Sequence, residues 1–372
     1  MKFIKILHII DNLGSGGAEK LIEEILPIMD KNKDIDVELL LLTNENNVFA
    51  ESLKNEGIKI NVTGAKNIYN PINIFLIRKF IKESNYDIVH AHLFPTIYWA
   101  SLAAKTILNN NFKLILTEHS THNRRRDYFF FKIIDKFIYK EYDKVISISK
   151  NTQDNLLNWL NENDNDNEKF IVIENGIDIK KFKNALPYSK EEFCPGCISD
   201  NTFITMIGRF SEQKDQKTLI KAMSYLNRSA HLFLVGEGIL LDKHKEIVKD
   251  LNLEDRVHFL GFRKDIERIL KTSDIVVLSS HWEGFGLAAL EGMAAGKPVL
   301  ASNVSGLKEI VSSSGGILFK KGDHKSLANK IKKLLNDKNY YKKIAENCLE
   351  NSASYSIKKM ASKYIKTYKS IL

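Results

Sequence analysis

Short runs of apolar, often β-branched residues alternate along this chain with longer stretches whose apolar positions recur every three or four residues. The first pattern suits strands buried on both faces, and the second suits amphipathic helices. Strands are expected at 3–10, 37–43, 59–62, 88–92, 113–118, 144–148 and 170–173, then at 202–207, 231–235, 257–260, 275–279, 299–301 and 316–319. Helices are expected between them, among others at 18–29, 73–83, 216–226, 239–251 and 287–295. The alternation predicts an α/β chain with two doubly wound, Rossmann-like parallel sheets.

Two stretches break this rhythm. Residues 161–168 (NENDNDNE) form a polar low-complexity loop, and 180–201, with Pro187 and Pro195, reads as a linker or an irregular crossover. The domain boundary is therefore expected near 175–180, with domains at 1–176 and 177–355. A C-terminal helix at about 356–372 is expected to return to the first domain. Two such domains would face each other across a cleft lined by the carboxyl ends of both sheets, where ligands bind in such folds.

Composition narrows the partners. The 372 residues are 44% hydrophobic and 27% charged, as in a soluble globular protein. No run approaches the roughly 18 apolar residues of a membrane span. The first strand is too short and wrongly flanked for a secretory signal, so a cytoplasmic location is expected. A net charge of +9 points to anionic partners, but no zinc-finger spacing or RNP-like strand favours nucleic acid. Three cysteines cannot build a disulfide framework, and Cys194-Pro-Gly-Cys197 reads as a turn in the linker rather than a zinc or redox site.

Candidate chemistry gathers at strand ends. After the first strand, Gly14-Ser-Gly16-Gly17-Ala-Glu19 leads into a helix, as an anion-binding turn would. Glu19 stands where a dinucleotide fingerprint needs its third glycine, which disfavours a nicotinamide site. Strand 202–207 ends in GRFSEQK, placing Arg209 and Lys214 where two cations would suit a diphosphate; alone, either reads as a surface cation. Strand 275–279 leads to Glu283, and Gly284-Phe285-Gly286 turns into a helix carrying Glu291. The amides of Phe285, Gly286 and Leu287 would face an incoming anion. The acidic pairs Asp34-Ile-Asp36 and Asp164-Asn-Asp166 read as surface, not as a metal-binding DxD motif.

The run EGFGLAALEGMAAGKPVLAS, with GRFSEQK, IENGIDIKKF, the GSGGAE loop, DIVHAH, TEH and VGEG, resembles the retaining glycosyltransferases of family four, which have the GT-B fold. The resemblance implies a cytoplasmic, metal-independent enzyme without cofactor that takes a nucleotide-sugar donor, UDP-linked, and builds surface polysaccharide or glycolipid. It implies that Arg209 and Lys214 neutralise the diphosphate, that Glu291 holds the ribose, and that Glu283 holds the transferred sugar with the amides of Phe285, Gly286 and Leu287. Gly16 and Gly17 would close over the phosphates, His119 would lie beside the sugar, and Phe262 near the base. The donor's own leaving phosphate would take the acceptor proton.

The acceptor is less legible. Arg124, Arg125 and Arg126 precede clustered aromatics at 128–131, which suits either a peripheral helix on the inner face of the cytoplasmic membrane or a grip on a lipid-linked diphosphate. A core helix is the plainer alternative. Rival functions are a nucleotide-sugar 2-epimerase on the same fold and a catalytically silent sugar-nucleotide-binding subunit.

Overall fold

A computed structural model describes residues 3–107, 111–121, 123–163, 168–313 and 315–372. The chain forms two compact units: Met1–Asn175 with Ile357–Leu372, and Gly176–Ser356.

The first unit holds a seven-stranded sheet in the order β3-β2-β1-β4-β5-β6-β7. Its strands are β1 (Ile4–Ile10), β2 (Ile35–Leu41), β3 (Lys59–Val62), β4 (Ile88–His92), β5 (Lys113–Glu118), β6 (Lys144–Ser147) and β7 (Phe170–Val172). All pairings are parallel. Central strands buried on both faces explain the mainly apolar β1, interrupted at Lys5 and His8, where Ile6, Leu7, Ile9 and Ile10 are fully buried. The helix Ile357–Ile371 packs on this unit through two buried tyrosines. The Tyr368 hydroxyl lies 2.7 Å from His90 Nδ1, and the Tyr364 hydroxyl 3.2 Å from Thr117 Oγ1.

The second unit holds six parallel strands in the order β10-β9-β8-β11-β12-β13. They are β8 (Thr202–Ile207), β9 (Ala230–Val235), β10 (Val257–Gly261), β11 (Ile275–Leu278), β12 (Val299–Ser302) and β13 (Ile317–Phe319). The order reverses beside β8, since β9 and β10 run to one side and β11 to the other. A doubly wound sheet binds its ligand at that switch point, beyond the carboxyl ends.

The stretch 180–201 is not an irregular linker. It contains the helical turns Ile179–Lys183 and Lys190–Phe193 and belongs to the second unit. Lys190 Nζ pairs with Asp274 Oδ2 at 2.7 Å, and Tyr188 OH donates to Asp265 Oδ2 at 2.7 Å. Cys194 and Cys197 are buried and joined as a disulfide, which corrects their reading as a plain connecting turn. Asp164 and Asp166 lie outside the described residues. Asp36 is exposed, and Asp34 pairs with Lys369.

Candidate active site

In the second unit, the loops after β8 and β11 lie side by side at the switch point. Arg209 follows β8 directly and its side chain is exposed. Lys214, five residues on, is turned toward the neighbouring loop, where its Nζ meets Glu283 Oε1 at 2.5 Å. Ser280 Oγ donates to the same carboxylate oxygen at 2.7 Å. Glu283 is 6% exposed, so this ion pair is drier than a surface salt bridge. The two loops are joined again by His281 N to Gln213 O at 2.7 Å, Gln213 Nε2 to Trp282 O at 3.1 Å and Ser279 Oγ to Asp215 O at 2.7 Å.

Small residues allow this closeness. Gly306, in the loop after β12, has φ of +87°, and a Cβ there would sit 2.3 Å from the carbonyl oxygen of Glu283. In the VGEG loop, Gly238 would place a Cβ 2.4 Å from Phe210 O. That loop braces the segment carrying Arg209, with Gly208 N bonded to Val235 O and Phe210 N to Glu237 O, both at 2.9 Å.

Gly286 adopts φ of +85° at the N-cap of the helix Leu287–Ala294. The first four amides of a helix have no partner within it, so this end carries partial positive charge. Glu291 lies in the second turn of this helix and is half-buried. Phe285 is buried, its ring edge-on to Tyr355 with centroids 5.8 Å apart, so its side chain anchors the turn. Phe262 is half-buried just after β10, where Gly261 bends the chain at φ of +65° and its carbonyl accepts Gly236 N at 2.8 Å.

In the first unit, His119 stands just past β5 and closes a chain of imidazoles. His119 Nε2 lies 3.0 Å from His92 Nδ1, and His92 Nε2 lies 3.0 Å from His8 Nδ1. Burial drives the pKa of His119 down to about 4 and that of His8 to about 3, and holds His92 well below the usual value. The three rings are therefore neutral near pH 7, with one N–H each. Among the described residues, His8 Nε2 is buried without a hydrogen-bond partner. A buried orphan N–H costs more than an orphan lone pair, which assigns the His8 proton to Nδ1. His8 then donates to His92, His92 donates to His119 Nε2, and the remaining proton of His119 is on Nδ1. Sequence reasoning missed His8 and His92. The available signal was the two-residue spacing of His90 and His92, together with the register that sets His8 beside His90 on one sheet face.

Gly16 caps the helix Gly17–Asp30, and its carbonyl accepts Lys20 N at 3.0 Å. Asp11, at the end of β1, has its carboxyl pKa pushed up to about 6 by burial, with Glu19 adding repulsion.

Two members of the arginine cluster do not face outward, contrary to the sequence expectation. Arg126 pairs with buried Glu118 at 2.7 Å, and Arg125 Nε reaches both oxygens of Asp135 at 3.2 Å and is 5% exposed. Tyr139 OH donates to Glu118, Tyr98 OH to Asp135, and Trp159 Nε1 to Asp135 Oδ2 at 2.8 Å. These acceptors, on β5 and the helix Phe129–Lys140, draw the guanidinium groups inward. The side chain of Arg124, like the whole of His122, lies outside the described residues. The outward face of the helix carries Phe129, Phe130, Ile133 and Phe137, all exposed, and Tyr128 just before it is exposed too.

Comparison with known proteins identifies this architecture. The family model described as "Glycosyltransferase Family 4" matches residues 15–181, and "Glycosyl transferases group 1" matches 191–350. An uncharacterized glycosyltransferase of Methanocaldococcus jannaschii is 30% identical over 313 residues, covering 81% of this chain and 80% of the relative. The chain belongs to glycosyltransferase family four. A second relative of this glycosyltransferase is the UDP-Gal:alpha-D-GlcNAc-diphosphoundecaprenol alpha-1,3-galactosyltransferase of Escherichia coli, 29% identical over 75% of this chain and 73% of the relative. Among solved structures, Anabaena HepE in complex with UDP and glucose superposes with a TM-score of 0.85 at 24% identity, covering 99% of this chain and 100% of that one. The fold is GT-B, with two Rossmann-like units.

Proposed function

We propose that this glycosyltransferase moves a sugar from a UDP-sugar to a lipid-linked or glycan acceptor, retaining the anomeric configuration and using no metal ion in the transfer. The observation carrying this reading is the Lys214–Glu283 pair, set between exposed Arg209 and the N-terminus of the helix Leu287–Ala294 at the carboxyl ends of β8 and β11. In the reaction, the bond between the anomeric carbon and the donor phosphate oxygen breaks and negative charge grows on the diphosphate. Arg209, Lys214 and the helix amides would stabilise that charge without reorganising, and one such donor is typically worth about 2.7–4 kcal/mol. Glu283 would then accept from hydroxyls of the sugar and Glu291 from those of the ribose. The departing phosphate oxygen would take the acceptor's proton as its oxygen bonds to the same face of the sugar. On this reading Glu283 positions the sugar and is no general base. Gly16 and Gly17 would contribute to phosphate binding, Phe262 to base contact, and His119 a hydrogen bond beside the sugar.

The substrates in the name of the E. coli relative support a UDP donor and a diphosphate-linked lipid acceptor. The exposed aromatic face at 128–137 supports peripheral contact with a membrane holding such an acceptor. Among the described residues no helix is long and apolar enough to cross a membrane.

A thermal-shift series with UDP, GDP and ADP tests the donor. A nucleotide at 100 times its dissociation constant adds about 2.7 kcal/mol, a rise of roughly 5–11 °C for a unit of this size at about 2–4 °C per kcal/mol. UDP should give that rise, and UDP-sugars should then be screened for turnover without added divalent ion, reading the product anomer by NMR. No shift with any nucleotide would overturn the reading.

A further inference from the structure

The second unit carries a cluster outside the candidate active site. The turn Cys194–Cys197, closed by Cys197 N to Cys194 O at 2.9 Å, lies against the amino-terminal ends of β9 and β10. His231 and His258 are the second residues of those adjacent strands, and the register sets them on one face. Cys197 Sγ lies 3.5 Å from His231 Nδ1, Cys194 Sγ 3.7 Å from His258 Nε2, and the two ring nitrogens are 3.1 Å apart. Tetrahedral zinc, with its usual bond lengths to sulfur and nitrogen, would separate S from N by about 3.5 Å and N from N by about 3.3 Å. These two sulfur–nitrogen separations and the nitrogen–nitrogen separation fall close to edges of that tetrahedron, whereas the sulfur–sulfur edge can open to its length only once the disulfide is reduced.

We propose that Cys194, Cys197, His231 and His258 are the four ligands of a structural zinc site, filled when both cysteines are thiols. Two thiolates and two imidazoles form the closed, borderline-soft set that favours zinc over the harder divalent ions. Phe233 stacks on the His258 ring with centroids 4.8 Å apart, and with Phe203 it walls the cluster. Four protein ligands leave no open position for substrate. The histidines also lie at the strand ends opposite those that deliver Arg209 and Glu283, so this ion takes no part in transfer. Its effect is to tie the segment entering the second unit to the edge of the sheet.

The structure shows the two sulfurs joined as a disulfide, so metal and disulfide exclude one another. A dithiol reductant would supply the two electrons and two protons that give two thiols, itself becoming a disulfide. Zinc would then displace both protons on binding.

The test uses the whole chain, reduced with a phosphine, freed of metal by a chelator, and titrated with Co²⁺ alone and then Zn²⁺ alone. Expected are one equivalent of Co²⁺ with the visible bands of a tetrahedral ion and a thiolate-to-metal charge-transfer band, displacement by Zn²⁺, and a higher unfolding midpoint with Zn²⁺. Cys197→Ser should lower Zn²⁺ affinity by more than about 100-fold, beyond the roughly 10–100-fold that losing an outer-shell partner costs, whereas Cys348→Ser should leave the spectrum unchanged. If Cys197→Ser does not fold, the charge-transfer band of the wild-type chain decides, because it reports sulfur ligation directly. A fully reduced wild-type chain that takes up no Co²⁺ with a thiolate band overturns the proposal, leaving a disulfide beside a hydrogen-bonded histidine pair.

Discussion

Lys214 Nζ and Glu283 Oε1 meet at 2.5 Å across two loops that are 69 residues apart in the chain. On the proposed reading, the cation that would meet the phosphates and the carboxylate that would meet the sugar hold each other. Donor binding would then exchange one ion pair for two new partnerships, which would limit the cost of keeping both charges in a half-dry site. Lys214→Ala should lower kcat/KM by about 10²–10³-fold and reduce stability by about 1–3 kcal/mol by leaving Glu283 short of a donor. Glu283→Gln should be as damaging to turnover but milder to stability, since the amide still accepts from Lys214 and Ser280. Steady-state kinetics and urea unfolding separate the two effects. Full additivity in the double variant would show that the pair does not act as a unit.

Gly306→Ala should act on Glu283 without touching a ligand. The added Cβ must avoid a carbonyl 2.3 Å away while the backbone is held at φ of +87°. The expected cost is about 1–3 kcal/mol in unfolding free energy together with a fall in kcat. Wild-type kcat in a stably folded variant would mean that the loop tolerates displacement of Glu283.

The imidazole chain predicts acid sensitivity of the first unit. Folded pKa values of about 4 for His119 and about 3 for His8 lie below the ordinary value of 6.5. Between these limits the unfolded chain binds protons that the folded chain refuses. Stability is thus complete above pH 6.5 and lost as pH falls toward 4, by about 1.4 kcal/mol for each unit of lowering. Urea midpoints measured from pH 7.5 to 4.5 should fall steeply. His8→Phe should flatten the curve, and an unchanged slope would contradict the assignment.

His92→Phe should disturb the tautomer of His119. Nitrogen-15 NMR of labelled histidine should place the His119 proton on Nδ1 in the wild type and on a mixture in the variant. Turnover should drop by about tenfold or more, while UDP binding stays within twofold because Arg209 and Lys214 are untouched. Loss of UDP binding in a folded variant would rule out a role confined to His119.

On the proposed reading, membrane contact would rest on the exposed aromatics and not on Arg125 and Arg126, which are turned inward. Phe129→Glu with Ile133→Glu should abolish flotation with vesicles containing anionic lipid and leave the fold intact, since both side chains are exposed. Arg126→Ala should instead destabilise, because it strands buried Glu118. Flotation unaffected by the double glutamate variant would remove this face from consideration.

The sheets were legible because their chemistry is local. A strand buried on both faces is mainly apolar and any polar side chain in it must find a buried partner, as His90 and His92 do in β4, whose bounds at Ile88–His92 are those its pattern predicts. The Lys214–Glu283 neighbourhood was legible as two strand-end motifs, but their mutual ion pair was not, because pairing depends on which strands become neighbours. The same reason hid His231 and His258 from the cysteines, since β9 and β10 bring together residues 34 and 61 positions beyond Cys197. Arg125 and Arg126 were misread because a charge run looks the same whether its acceptors are solvent or buried carboxylates supplied from 118 and 135.

The helix Ile357–Ile371 follows the whole second unit in the chain, yet its tyrosines complete the first. During synthesis the second unit is made in full while His90 and Thr117 still lack Tyr368 and Tyr364. Completion of the first unit therefore waits for residues 357–371 to be made, although its sheet is made first. A nascent chain stalled before residue 357 should expose that sheet face to chaperones and proteases, giving the cell a point at which incomplete copies can be recognised.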